Sequence, residues 1–166
     1  MPILLAFPIL GLLVILQSAL ASRVQLLHGT VDLVLLALLA WAVQERVKTS
    51  WHWAVIAGMM MGVASALPLG AALAGYLAAT GLALIFRRLI WQVPLLAMVT
   101  CTFLGTVLTH AIDIAALRFS GSAIPWVQAL NLVTLPSALL NLLLALPMYA
   151  LLGDLAKWVY PQELEI

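Results

Sequence analysis

The sequence predicts an all-α protein, a polytopic bundle of membrane-spanning helices. Hydrophobic residues occupy 66% of its 166 positions and charged residues only 8%, and the mean hydropathy is +1.19. A water-soluble domain would carry roughly a quarter charged residues, because its surface must be solvated. Since a span needs roughly 20 apolar residues, a chain of this length allows about six. We therefore expect a single integral membrane domain over residues 1–166.

Short polar or turn-forming segments separate the apolar runs. The predicted spans cover residues 3–21, 24–43, 51–67, 71–86, 91–116 and 126–152. The first run ends at Ser22-Arg23, and residues 44–50 form the clearest polar break in the chain. Pro68-Leu69-Gly70 is a turn sequence between the third and fourth runs. Arg87-Arg88 stops the fourth run, and the polar segment 117–122 follows the fifth.

The positions of lysine and arginine predict the orientation of the bundle, because cytoplasmic loops are enriched in these residues. With the N-terminus inside, the cytoplasmic gaps hold Arg46, Lys48, Arg87, Arg88 and Lys157. The outer gaps hold only Arg23 and Arg118. Both termini, including the short tail at 153–166, are therefore expected in the cytoplasm. Trp41 and Trp53 are expected near the inner interface, where aromatic side chains are enriched.

Composition and motifs exclude several classes of function. A net charge of +1 offers no electrostatic basis for nucleic acid binding. Cys101 is the single cysteine, and the three histidines fall in different segments, so we expect no metal site. No phosphate-binding loop, HExxH or GxSxG sequence occurs. We therefore expect no cofactor, no catalytic residues and no enzymatic activity.

Small residues recur at four-residue spacing in the third and fourth predicted spans. Gly58 and Gly62 form a GxxxG in the third span, and Gly75 lies between Ala71 and Ala79 in the fourth. Such rows let helix backbones approach closely in lipid, where helices associate by packing rather than by hydrophobic burial. The rows predict helix contacts, and the sequence leaves open whether these lie inside the bundle or with another protein.

Polar residues share one face of the fifth predicted span. Within an arc of about 60° lie Thr102, Thr106, Thr109 and Asp113. His110 lies beside them, and Arg118 follows near the predicted outer end. A carboxylate inside a membrane is a functional hypothesis by default, so His110, Asp113 and Arg118 form a candidate outer polar cluster. The alternatives are a solvated or paired interfacial carboxylate, a structural or partner-binding network, and a proton relay.

The sixth predicted span also has a polar face, and two prolines interrupt it. The polar residues on this face include Asn131, Thr134, Ser137 and Asn141. Pro136 and Pro147 each remove a backbone donor and free a carbonyl about one turn earlier, which neighbouring polar groups must satisfy. This pattern predicts a specifically shaped helix that faces protein or a cavity.

Three segments, taken in order, carry a resemblance to a known family. The first is Gly29-Thr30-Val31-Asp32 with the leucines after it. The second runs from Gly62 through Pro68-Leu69-Gly70 and Gly75-Tyr76-Leu77 to Arg87-Arg88. The third is Leu135-Pro136-Ser137-Ala138-Leu139-Leu140-Asn141, continuing to Pro147-Met148-Tyr149. The chain resembles the MreD family of bacterial rod shape-determining membrane proteins over essentially its whole length. It departs from the family at Thr30-Val31, where a proline is usual before Asp32. The acidic residue often found near the end of the third span is also missing. Asp32 itself is expected in the first turn of a helix that begins near Gly29, where a carboxylate complements the helix dipole.

The resemblance implies a non-enzymatic scaffold of the cell-wall elongation machinery, or elongasome, in the bacterial cytoplasmic (inner) membrane. Such a scaffold helps maintain cell shape and regulate peptidoglycan synthesis. The implied direct partner is MreC, a single-span protein. Further implied partners are RodA, its transpeptidase partner and MreB, and membrane lipids surround the bundle. Self-association into a homo-oligomer is left open. The candidate helix-contact or partner residues are Gly58, Gly62, Gly75, Asn131, Pro136, Ser137, Asn141 and Pro147.

The family's fold is similar to that of the S-component of energy-coupling-factor transporters, which supplies an alternative function. A substrate-binding subunit of a vitamin transporter needs an outward-facing polar pocket. The residues at the suitable end are His110, Asp113, Arg118, Trp126 and Gln128. Such subunits typically dock through alanines spaced four apart on the first helix, whereas this chain offers only Ala6 and Gly11 there. The scaffold is therefore the favoured hypothesis, with an intramembrane enzyme as a third class.

Overall fold

The computed structural model describes residues 3–21, 25–65, 67–90, 92–122 and 125–161, and it is helical almost throughout. The elements in chain order are α1 (Ala6–Ala21), β1 (Gln25–Leu26), β2 (Gly29–Thr30), α2 (Leu33–Val43), α3 (Ser50–Ala64), α4 (Leu69–Leu89), α5 (Pro94–Phe119), α6 (Trp126–Ala129), a π-helical turn (Leu130–Thr134) and α7 (Leu135–Val159). The predicted all-helical class is confirmed, with one two-residue antiparallel β pair as the exception.

Helix α2 is the centre of the bundle. All eleven of its residues are buried, and it contacts α1, α3, α4, α5 and α7. Its sequence is apolar on every side, which is the composition of a helix surrounded by other helices rather than of one with a single core-facing stripe. The position of α2 follows from this composition, because no face of the helix needs water.

The predicted second span, 24–43, is helical only from Leu33 onward. Before it, Gln25 pairs with Thr30 and Leu26 pairs with Gly29 in the β pair, and Leu27 takes a positive φ of 58° at the turn. The extended segment that leads into α2 directs its backbone donors to the last helix, as described below. These bonds replace the helical ones that the apolar run predicted.

Helix α6, the π turn and α7 form one continuous helix of 34 residues, Trp126–Val159, which we call the last helix. At 1.5 Å per residue it is about 50 Å long, well beyond the hydrocarbon thickness of about 30 Å. It continues through the first part of the predicted tail, 153–166. Residues 162–166 of that tail lie outside the described part of the chain.

Within the described residues, three helices are long and apolar enough to cross a membrane: α4, α5 and the last helix. Helices α1, α2 and α3, with 16, 11 and 15 residues, are shorter than the roughly 20 residues of a standard span. The count of six membrane crossings therefore stays a prediction.

The predicted small-residue rows lie inside the bundle. A Cβ atom added to Gly58 would lie 2.7 Å from the Cα of Leu73, and one added to Gly62 would lie 3.1 Å from the Cα of Leu69. Both glycines therefore bring α3 close to the backbone of α4. Gly75 contacts Thr109 in the same way, with 3.5 Å to its Cγ2, and joins α4 to α5.

The end of the bundle opposite the β pair is tied together by Arg87. Its Nη1 donates hydrogen bonds to the carbonyls of Ala42, Gln44 and Val47 at 3.0 to 3.2 Å. The C-terminus of α2 and the loop after it are thereby attached to the end of α4. Nearby, Trp41 and Trp53 stack with ring centroids 4.4 Å apart, and both are fully buried.

Replacement of Gly58 by alanine tests the contact between α3 and α4. We expect Gly58→Ala to lower the free energy of unfolding by about 1–3 kcal/mol, because its methyl group overlaps the Leu73 backbone. This loss opposes the gain of about 1 kcal/mol in helix propensity. Gly70→Ala is the matched control, since no atom lies within 4 Å of its added Cβ. Thermal unfolding in detergent compares the two variants, and equal melting temperatures would contradict the contact.

Candidate functional site

The extended segment before α2 lies against the last helix and binds it through alternate backbone N–H groups. His28 N–H donates to the Leu132 carbonyl at 3.1 Å. Thr30 N–H donates to Ser137 Oγ at 3.0 Å. Asp32 N–H donates to Asn141 Oδ1 at 2.9 Å. Alternate residues of an extended chain face the same way, and here the N–H groups of alternate residues meet three acceptors along one helix. We call residues 28–32 with these three acceptors the clasp.

Pro136 makes one of these acceptors available. Proline has no N–H, so it cannot bond the carbonyl four residues earlier, which here belongs to Leu132. The N–H of His28 occupies that carbonyl instead. Gly29 allows the close approach, because a Cβ atom there would lie 2.6 Å from the Ser137 backbone nitrogen. The freed carbonyl that proline predicts is therefore satisfied by a segment more than 100 residues away in sequence.

Asn141 extends the clasp into the polar face of α5. Its Nδ2 donates to Thr106 Oγ1 at 3.0 Å, and the Thr106 hydroxyl donates to the Thr102 carbonyl at 2.7 Å. Asn141 and Thr106 are both fully buried. Two polar faces that the sequence predicts on separate spans thus meet at Asn141, whose side-chain oxygen and nitrogen are both hydrogen-bonded.

Asp32 is the N-cap of α2, one residue before the helix begins, rather than a residue of its first turn as predicted. Its Oδ1 accepts from Leu35 N–H at 2.8 Å, and its Oδ2 accepts from the Tyr76 hydroxyl at 2.9 Å. Gln17 of α1 assists, because its Oε1 accepts from Val34 N–H at 3.2 Å. Sequence reasoning placed Asp32 at a helix start but missed its bond to Tyr76, for which the sequence carries no spacing signal.

A cavity adjoins the clasp at the same end of the bundle. Its polar lobe, of about 190 Å³, is lined by Gln17, Thr30, Val31, Asp32, Met61, Ser65, Leu67, Ala72, Gly75, Tyr76, Thr109, His110 and Asp113. A mostly apolar lobe of about 260 Å³ shares Leu67, His110 and Asp113 with it and adds Ile114, Leu117, Ala129, Val133 and Thr134. His110 Nδ1 lies 3.3 Å from Thr134 Oγ1 at the π turn.

The candidate outer polar cluster is brought together only in part. His110 and Asp113 line both lobes of the cavity. The guanidinium of Arg118 instead lies 5.7 Å from the centre of the Trp126 ring, in a separate surface pocket. Within the described residues, Asp113 forms neither a hydrogen bond nor an ion pair.

The remaining candidate residues divide into buried and exposed groups. Pro136, Ser137 and Asn141 are buried in the clasp, whereas Asn131 and Pro147 are exposed on the outer side of the last helix. No group of three His, Cys, Asp or Glu side chains able to hold a metal ion occurs in the ranges that the structure describes.

No protein-family model, curated protein or solved structure matches this chain. Its function must therefore be argued from the geometry and from the resemblance of its segments. The clasp offers fixed backbone and side-chain contacts, and the adjoining cavity offers carboxylate, imidazole and phenol groups next to an apolar wall.

Replacement of Asn141 tests the clasp. Asn141→Leu leaves the Asp32 N–H without its acceptor, while the Thr106 hydroxyl loses one donor but keeps its bond to the Thr102 carbonyl, so we expect a loss of about 1–3 kcal/mol in the free energy of unfolding. Asn131→Leu, on the exposed side of the same helix, is the matched control and should leave stability unchanged. Thermal melting of both variants in the same detergent gives the comparison. An unaltered melting temperature for Asn141→Leu would show that the clasp does not stabilise the fold.

Proposed function

We propose that this protein is a non-enzymatic, MreD-like scaffold of the bacterial cell-wall elongation machinery. One observation carries the proposal. The segments Gly29–Asp32 and Pro136–Asn141, which carry much of the resemblance to the MreD family, bind each other in the clasp. A chance likeness between leucine-rich spans would not require its distinctive residues to contact one another. The contact between these two segments in the clasp therefore supports a fold shared with the MreD family.

The use of the polar residues supports a scaffold rather than a catalyst. Ser137, Asn141 and Thr106 bond to backbone groups or to one another. Asp32 serves as a helix cap and accepts from Tyr76. Groups bound in this way hold helices in place, which is what a platform for other membrane proteins requires.

The geometry is compatible with the proposed six crossings of the cytoplasmic membrane. Helix α2 rises only about 16 Å over its eleven residues. The non-helical residues 29–32 of the clasp add about 13 Å, which brings the sum close to the hydrocarbon thickness of about 30 Å. Non-helical backbone is tolerated at membrane depth where protein buries it, and the clasp does so. We propose that both termini lie in the cytoplasm, at the end of the bundle where Arg87 binds the α2–α3 loop.

The exposed side of the last helix is the proposed contact for MreC, the single-span partner. Among the candidate partner residues, Asn131 and Pro147 face outward, whereas the candidate glycines pack inside the bundle. Pro147 cannot bond the carbonyl of Leu143, and the Leu143 side chain is 73% exposed. A polar group of a partner helix would satisfy that carbonyl in lipid. RodA, its transpeptidase partner and MreB are proposed to join the same assembly, in which the scaffold helps regulate peptidoglycan synthesis and cell shape.

The alternative, a substrate-binding subunit of a vitamin transporter, has less support. The residues proposed for its pocket do not converge, since Arg118 and Trp126 lie away from the cavity that His110 and Asp113 line. On the first helix, Ala6 is fully buried, and a Cβ added to Gly11 would touch Met60 of α3. These small residues therefore face the bundle rather than a transducer.

Affinity capture from native membranes in mild detergent, read by mass spectrometry, tests the scaffold against the transporter. We expect recovery of a single-span protein together with wall-synthesis enzymes. Recovery of ATPases with a membrane transducer would overturn the scaffold and support the alternative.

Pro147→Ala tests the proposed contact side. Alanine restores the helical bond to the Leu143 carbonyl, so recovery of the single-span partner should fall several-fold, while the melting temperature is unchanged or raised because a helix-breaking residue is removed. Pro136→Ala is the comparison, since its new N–H competes with His28 for the Leu132 carbonyl and should lower the melting temperature. Full recovery of the partner by Pro147→Ala would show that this side is not the contact.

A further inference from the structure

The two-lobed cavity beside the clasp has a role in neither the fold nor the proposed scaffold. Its polar lobe is lined by two carboxylates, Asp32 and Asp113, and no lysine or arginine is among the described residues that line either lobe. Asp32 is bonded to Tyr76 and to the start of α2. Asp113 has no such partner within the described chain. The lobe therefore contains a carboxylate that no neighbouring protein group neutralises.

A second, independent observation points to a hydrogen-bonding occupant of the polar lobe. Ser65 Oγ lines it, is inaccessible to solvent and has no hydrogen-bond partner in the described structure. An unsatisfied buried hydroxyl costs about 1–3 kcal/mol. A bound donor would recover this free energy, and a donor that also carries positive charge would pair with Asp113.

The second lobe restricts the chemistry of the occupant further. Most of its wall is formed by Leu67, Ile114, Leu117, Ala129 and Val133, and it shares His110 and Asp113 with the polar lobe. A hydrated inorganic cation would leave this apolar volume of about 260 Å³ unused, and an anion would be repelled by both carboxylates. The lining therefore fits a molecule that is cationic at one end and apolar at the other.

We propose that this cavity binds a primary ammonium group attached to a short apolar chain. The ammonium lies in the polar lobe, donates to the Asp113 carboxylate and, after rotation of the Ser65 side chain toward it, to Ser65 Oγ, and relieves the repulsion between Asp113 and Asp32. The apolar chain occupies the second lobe beside Ile114 and Val133. Such a group belongs to a free alkylamine; the ammonium of an ethanolamine lipid is instead attached to an anionic phosphate, which the carboxylates would repel. The proposal does not depend on the scaffold function, because it rests on the lining of the cavity alone.

Equilibrium dialysis of radiolabelled butylammonium tests the proposal, with the protein held in nanodiscs of phosphatidylcholine and empty nanodiscs as the blank. We expect saturable binding at one site per chain. Butanol and butyrate should not compete, since the first lacks the charge and the second has the opposite charge. Methylammonium should bind roughly 50-fold more weakly, because it lacks three methylenes that each contribute about 0.8 kcal/mol when buried.

Asp113→Asn keeps the size of the side chain and should weaken butylammonium binding by at least about tenfold, the loss expected for one charged hydrogen bond. Asp154→Asn is the matched control, because Asp154 is exposed and pairs with Lys157 outside the cavity. It should bind as the unchanged protein does. Equal melting temperatures of the two variants separate loss of the site from loss of the fold.

A second set of nanodiscs that contain phosphatidylethanolamine tests the requirement for an apolar chain. Unchanged butylammonium binding is expected there, because the headgroup ammonium is attached to an anionic phosphate, and clearly weaker binding would contradict the apolar end of the proposed ligand. Binding no greater than in empty nanodiscs, or equal binding by Asp113→Asn and the unchanged protein, would overturn the proposal whatever the outcome of the partner capture.

Discussion

The buried N-terminus of α2 is the constraint on which the rest of the structure depends. The first backbone N–H groups of any helix lack partners within it, and here that end lies inside an apolar bundle, where an unpaired donor is costly. Three side chains from distant parts of the sequence supply acceptors. Asp32 accepts from Leu35 N–H, Gln17 accepts from Val34 N–H, and Asn141 accepts from Asp32 N–H. The requirement to satisfy one helix end thereby connects α1, α2 and the last helix.

The last helix helps to meet this requirement through Pro136, Ser137 and Asn141. Pro136 frees a carbonyl, and the clasp occupies it. Ser137 and Asn141, one helical turn apart, continue the row of acceptors at the spacing of alternate residues in an extended chain. Helix α3 also packs closely on α4 through Gly58 and Gly62. In lipid there is no hydrophobic drive for helix association, so helices associate through close packing and hydrogen bonds of these two kinds.

A bundle held in this way is suited to present fixed surfaces. The polar residues of the clasp form internal bonds, whereas Asn131 and Pro147 are exposed on the last helix and belong to the proposed partner contact. The cavity differs from the clasp in that Asp113 and Ser65 have no hydrogen-bond partner within the described part of the chain. The scaffold proposal and the amine site therefore draw on separate groups of residues, and each can fail without the other.

Composition and apolar runs alone predicted a helical membrane bundle, because a surface with 8% charged residues cannot be solvated; the described structure is helical, and three of its helices are long and apolar enough to cross a membrane. The sequence also located the polar faces of the fifth and sixth predicted spans and the carbonyl freed by Pro136. It could not show that residues 25–30 form a β pair rather than the start of a helix, since hydropathy does not distinguish the two in a short apolar run. It also gave no sign that Trp41 and Trp53, expected near the inner interface, stack on each other and are fully buried. Only the tertiary structure decided that Asn141 meets Asp32, that Arg118 lies apart from Asp113, and that the candidate glycines face inward, because these contacts depend on how the helices rotate and pack against one another.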